Sequence, residues 1–186
     1  MIILLDPNWR STLCRTCPTC PGELDFWVAS HPEATFDDLW EEVIDPTWLP
    51  FLAKAGGATH YQEIVRAMCD VAKLCLHLIP VWESRPSIAI ETTEAWFRSE
   101  ATLKQVKKSI KDADKVYYDG TFKDTTESAV LSVCNINSYI YSTVRYAVAA
   151  GIESQLICTT IRNRLVFERP PRPKRLTIWQ RLAVDD

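Results

Sequence analysis

Ala101-Thr-Leu-Lys-Gln-Val-Lys-Lys-Ser-Ile-Lys-Asp-Ala-Asp-Lys-Val-Tyr-Tyr118 is the stretch that decides the fold. Its apolar positions Leu103, Val106, Ile110, Ala113 and Tyr117 alternate in steps of three and four, with Lys104, Lys107, Lys108 and Lys111 between them. An α-helix turns once in about 3.6 residues, so this spacing makes one apolar stripe and one wet lysine face. A helix is predicted over 101–118, with Gly120 as its stop, and its stripe needs a neighbouring helix to cover it.

The flanking stretches read the same way. Ser84-Arg85-Pro86 opens a helix through Ile88, Thr92, Ala95 and Trp96 to about Ser99, because proline suits the first helical turn. Before it, Thr59 and Gln62 form a capping-box pattern ahead of Ile64, Met68, Val71, Cys75 and Leu78, and Pro80 ends that helix. After Gly120 the longest helix is predicted from about Lys123 to Ala150, with Val130, Val133, Asn137, Ile140, Val144 and Ala147 along one side and Gly151 as its cap. A last helix runs from about Glu153 to Phe167.

The N-terminal part carries shorter elements. Residues 1–20 read as irregular, with an apolar start able to add a short strand. Pro21 opens a helix to Ser30, and Thr35 caps a second that holds Phe36, Leu39, Trp40 and Val43 and ends near Asp45. Asp45-Pro46 starts a third, running through Trp48, Leu49 and Leu52 to Gly56-Gly57. Short connections favour antiparallel neighbours. The expected fold is therefore all-α: an antiparallel helical bundle in one domain, residues 1–168. Residues 1–57 form its short-helix subregion, 58–168 its long helices, and 169–186 an extended Pro/Arg-rich basic tail.

Composition bounds the function. Of 186 residues, 47% are hydrophobic, enough for a real core, and five glycines are too few for a turn-dense β fold. The net charge of −3 excludes a uniformly basic binder of duplex nucleic acid. Charge is uneven, with an acidic first third and a basic end holding Arg162, Arg164, Arg169, Arg172, Lys174, Arg175 and Arg181. Either the two ends meet, or the basic end meets an anionic partner, or both are simply solvated. Asp6-Pro7 cuts the apolar start too short for a signal peptide, and nothing reaches the length of a membrane span. The expectation is a cytoplasmic protein whose seven cysteines are reduced or metal-bound.

Cys14, Cys17 and Cys20 have the two-residue spacing that lets thiolates converge on zinc, with His31 or His60 as a fourth ligand. The alternative is a cysteine-rich loop packed against apolar neighbours. Asp37 with Glu41 and Asp38 with Glu42 pair carboxylates on one helical face, which is the pattern of a solvated surface. No glycine phosphate loop, His-Glu-x-x-His or nucleophile elbow is present, so the sequence specifies no reaction. Asn137 on an apolar stripe is either a buried contact that sets packing register or an amide reading a ligand. Tyr141, Arg145 and Arg162 belong to a Tyr/Arg-rich set that suits a nucleotide or an acidic protein surface, or else forms half-buried core.

Arg85-Pro-Ser-Ile-Ala-Ile-Glu-Thr-Thr-Glu-Ala-Trp-Phe-Arg-Ser-Glu-Ala-Thr102 resembles the signature of Imm-5-like immunity proteins and of related phage-encoded helical proteins. That pattern runs Arg-Pro, Ala-Ile-Glu, then Ala-Trp-x-Arg-Gly-Glu-x-Thr, matched here at Arg85, Pro86, Ala89, Ile90, Glu91, Ala95, Trp96, Arg98, Glu100 and Thr102. Leu24-Asp25-Phe26-Trp27, His31-Pro32-Glu33-Ala34-Thr35, Trp40 and Asp45-Pro46-Thr47-Trp48-Leu49 look like a module of phage-encoded proteins, which extends the resemblance over about residues 22–168. The family's glycine is Ser99 here, and its later alanine-rich helices carry Ser, Asn and Tyr.

The resemblance implies a helical fold and stoichiometric neutralisation of an antagonist, with Arg85, Glu91, Trp96 and Arg98 as a site. Read without it, Pro86 starts a helix, Trp96 fills the core and Glu94 pairs with Arg98 one turn on. The leading expectation is a non-enzymatic phage- or mobile-element-type protein whose partner is a protein antagonist. The alternative is a sponge for a nucleotide immune signal, bound between helices by the Tyr/Arg set. No cofactor is expected beyond the zinc reading, and the long apolar stripe makes a homo-oligomer a further expectation.

Overall fold

A computed structural model describes residues 2–16, 22–58, 61–120, 122–136 and 140–168. The described residues are mostly helical: α1 (Trp9–Thr16), α2 (Gly22–Ser30), α3 (Phe36–Glu42), α4 (Leu49–Ala55), α5 (Tyr61–Leu74), α6 (Arg85–Phe97), α7 (Leu103–Tyr118), α8 (Asp124–Cys134), α9 (Ile140–Ala149) and α10 (Ser154–Arg164). Two three-residue strands, β1 (Ile2–Leu4) and β2 (Val166–Glu168), pair in parallel with Ile3 opposite Phe167.

The centre is α5. Ile64, Val65, Ala67, Met68, Cys69, Val71 and Ala72 are all buried, so this helix is covered on several sides. α6, α8, α9 and α10 pack on it, and α7 bridges α6 and α8. The lysine-flanked stripe behaves as expected: Val106 and Ala113 are buried while Lys104, Lys107, Lys108 and Lys111 face water. Leu103 lies at the exposed edge. α7 begins with a capping box in which Thr102 and Gln105 exchange side-chain-to-backbone hydrogen bonds. Thr35 and Asp38 do the same for α3.

Several expectations change. The single helix predicted over 123–150 is two helices that pack on each other, α8 ending at the Asn135 cap and α9 starting at Ile140. Asn135 turns its amide back onto the Leu131 carbonyl at 2.7 Å, the local bond by which asparagine competes with helix propagation. Val130, Val133, Val144 and Ala147 are buried within the chain, so the long-stripe argument for self-association falls away. Gly151 does cap α9, at φ +86°. The last helix stops at Arg164, because Val166-Phe167-Glu168 finds a better partner in β1.

At the other end, residues 9–16 are helical where an irregular segment was expected. Trp9 and Leu13, one turn apart, are both buried. Asp45 accepts hydrogen bonds from Thr47 N and Oγ1, so α4 begins three residues later than Pro46, with Pro50 in its first turn. The Thr59 cap lies outside the described residues, as does the tail from 169 onward.

Gly56-Gly57 ends α4 and also seats the strands. A Cβ on Gly56 would meet the Phe36 ring at 2.5 Å, and one on Gly57 (φ +106°) the Leu4 carbonyl at 2.7 Å. Phe36, Trp9, Trp40 and Phe167 form the aromatic cluster above that seat, with centroid distances of 4.9 to 5.8 Å. Within the described residues the two ends touch through β1–β2 and through Arg162, whose Nε lies 3.8 Å from a Glu41 carboxylate oxygen, while Arg169 to Arg181 lie outside them. Among the described residues no helix is long and apolar enough to cross a membrane.

Candidate functional site

Pro80 and Ser84 bracket a short loop that holds Val81 and Trp82, two apolar residues claimed by no helical stripe. Val81 is 101% exposed and Trp82 69%. The Trp82 ring lies 5.5 Å from that of Phe122, across the turn that follows α7, and Tyr118 on the last turn of α7 is 75% exposed. Val81 and Trp82 thus stand in water side by side on one loop, and the end of α7 that carries exposed Tyr118 is tied to that loop through Asp119. Isolated exposure is ordinary, but neighbouring exposed apolar groups mark a contact surface.

Ion pairs tie this corner together. Glu83, a buried carboxylate, accepts from Arg85 Nε at 2.8 Å and Nη2 at 2.6 Å, and from the Arg85 backbone N at 3.1 Å. The fork places an anion at the start of α6, where the helix dipole favours it. Arg85 holds the Glu83 carboxyl below the ordinary carboxylate range, and its own proton is bound more tightly in return. Arg85 Nη1 reaches Asp119 Oδ2 at 3.3 Å, tying the loop to the end of α7. Thr126 Oγ1 donates to the Leu78 carbonyl and fixes the start of α8 to the same corner. Beside it, Arg85, Ile88, Thr92, Gln105 and Lys108 line a cleft of about 350 Å³ between α6 and α7.

Among the described residues, the predicted site residues lie apart. Arg85 belongs to the corner, and exposed Glu91 follows exposed Ile88 on the same face of α6. Trp96, expected in the core, is half-buried against Phe97 at 5.2 Å. Arg98 is exposed and pairs with Glu100, while Glu94 pairs with Lys73, so the predicted Glu94–Arg98 pair is replaced by a tie between α5 and α6. Tyr141 stacks flat on Phe51, ring centroids 3.9 Å apart, and Arg145 is exposed. Arg162 donates to the carbonyls of Trp40, Glu41 and Val43 and so closes the end of α3.

Asn137, Cys17, Cys20 and the side chain of Cys14 lie outside the described residues, as does His60. His31 brings Nδ1 to within 2.8 Å of the Trp27 carbonyl. Among the described residues no group of three or more His, Cys, Asp or Glu side chains is placed to hold a metal. The described thiols are buried, and burial pushes Cys69 and Cys134 up to about 12 and Cys75 to about 11.

Val81, Trp82 and Glu83 lie outside every sequence-predicted site. The signal available was negative: two large apolar residues between helix punctuators, outside every periodic pattern. Compared with protein-family models, with curated proteins and with solved structures, the chain matches none.

Proposed function

We propose that this chain is a non-enzymatic binding protein of the phage or mobile-element type, which neutralises a protein antagonist by stoichiometric contact through the Val81–Trp82–Tyr118 corner. The observation that carries the reading is the exposure of Val81 and Trp82 on a loop that the Glu83–Arg85–Asp119 network holds in place. Tryptophan and tyrosine supply large contact areas with little conformational entropy to lose, and they dominate hot spots when a pocket on the partner covers them. Arg85, Asp119 and Lys108 would serve as the polar rim that surrounds such an apolar centre.

The nucleotide-sponge alternative draws less support. It needs Tyr141, Arg145 and Arg162 to face one cavity, and Arg162 already gives its donors to the end of α3. Native mass spectrometry of the chain isolated from its own cells separates the two. The proposal expects a mass increment of one whole polypeptide in fixed ratio. A nucleotide-sized increment would favour the sponge, and saturable turnover of a nucleotide or peptide library would overturn both.

A further inference from the structure

Away from the corner, Arg66 of α5, Phe97 and Arg98 at the end of α6, and Arg164 at the end of α10 line a cleft of about 130 Å³, with Glu94 at its side. Three arginines, one each from α5, the end of α6 and the end of α10, line it. Each keeps donors in reserve. Arg164 spends Nε on Asp70 at 2.6 Å, and Arg98 spends Nε on Glu100 at 2.8 Å. Arg66 lies over the Phe97 ring, 4.8 Å from its centroid, gives Nη2 to the Phe97 carbonyl at 3.4 Å, and has no carboxylate partner among the described residues. Glu94 faces the cleft but its charge is met by Lys73. Set against Asp70, Glu94 and Glu100, the four cations Arg66, Lys73, Arg98 and Arg164 leave one positive charge over, and Arg66 carries it.

We propose that this cleft binds a single tetrahedral oxyanion, a phosphate group that is either free or the end of a small phosphomonoester. Guanidinium forks match phosphate oxygens in two-point contacts, and three of them on separate helices approach the group from different directions. At about 130 Å³ the space falls below the roughly 300–1,000 Å³ of whole-ligand pockets, so it takes a head group and leaves the remainder outside. Phe97 fixes the Arg66 guanidinium by cation–π contact before any anion arrives. The site is separate from the corner, and neither reading depends on the other.

The test is calorimetric titration of the full chain with inorganic phosphate at constant ionic strength, repeated with a small phosphomonoester and with chloride. Saturable phosphate binding is expected, weakened about tenfold or more by Arg66→Gln or Arg98→Gln. Arg98 is an exposed side chain, so its variant keeps the fold. Glu100→Gln, which releases Arg98, should bind more tightly, a gain that misfolding cannot mimic. Tighter binding of the ester than of inorganic phosphate assigns the group to a larger ligand, and equal binding assigns it to the free ion. Absence of saturable binding, or equal affinity in wild type and both arginine variants, overturns the proposal.

Discussion

Arg162 of α10 donates from Nη2 to the backbone carbonyl of Val43 at 2.6 Å, across 119 positions of sequence. The same guanidinium serves the carbonyls of Trp40 and Glu41, so one side chain satisfies the open end of α3. Arg10 repeats the device for α2, donating to the carbonyls of Val28, His31 and Ala34. Cations suit helix C-termini, where the dipole is negative. Replacing Arg162 by Met should cost about 2 kcal/mol, since carbonyls in a part-buried site lose charged donors. Arg162→Lys should recover little, because an ammonium cannot fork across three acceptors. Urea denaturation of the three proteins reads the difference, and a loss under half a kilocalorie for Arg162→Met would contradict it.

Ser99 sits at φ +62°, just past α6, while Glu100 N donates back to the Ala95 carbonyl at 2.8 Å. This is the left-handed helix cap that favours glycine. The position coincides with the glycine of the resembled signature, which gives that departure a physical consequence. Ser99→Gly should raise stability by about 0.5–1 kcal/mol, after allowing for the extra chain entropy glycine brings. A lowered melting temperature would show that another contact holds Ser99 there.

Arg85→Gln removes the fork to Glu83 and should cost about 1 kcal/mol at neutral pH, discounted because water still reaches the guanidinium. The pH dependence has a definite sign. Arg85 holds the folded Glu83 carboxyl below its ordinary 4.5. The contribution is therefore present above that value and fades as pH falls through the lowered one. Wild type and Arg85→Gln should differ most near neutrality and converge in acid. Parallel stability curves down to the acid transition would contradict the pairing.

Cys69, Cys75 and Cys134 are buried, with burial the first cause of their raised pKa values. At pH 8 they hold almost no thiolate, and only the thiolate attacks a disulfide reagent. These three should stay unmodified by Ellman's reagent in the native protein and react at once in guanidinium chloride. Mass-mapped labelling decides it: early modification at Cys69 or Cys134 would mean their helices open locally.

Helix type was legible where a stripe was long and met its neighbour within the chain, as in Leu103–Tyr118. It failed where a distant partner competed. Phe167 continues an apolar pattern from α10, yet backbone pairing with Ile3 and the aromatic cluster draw it into β2. Asn135 announced the α8–α9 break by its residue type, but the unbroken spacing from Val130 to Ala147 masked it. For the sites, arginine chemistry alone could not separate Arg162, spent on three carbonyls, from Arg66, which gives one long bond to the Phe97 carbonyl and lines a cleft. That difference is set by which helix end lies opposite, and periodicity carries no such information.

The Trp82 corner is proposed to bind a protein partner. The most direct measurement is the affinity of the chain for the polypeptide recovered in its native complex, wild type against Trp82→Ala, with unchanged melting temperature as the control. A hot-spot tryptophan predicts a loss of about 2 kcal/mol or more, which is roughly thirtyfold in Kd. Equal affinity in the two proteins, or a native complex that contains no second polypeptide, would contradict the account.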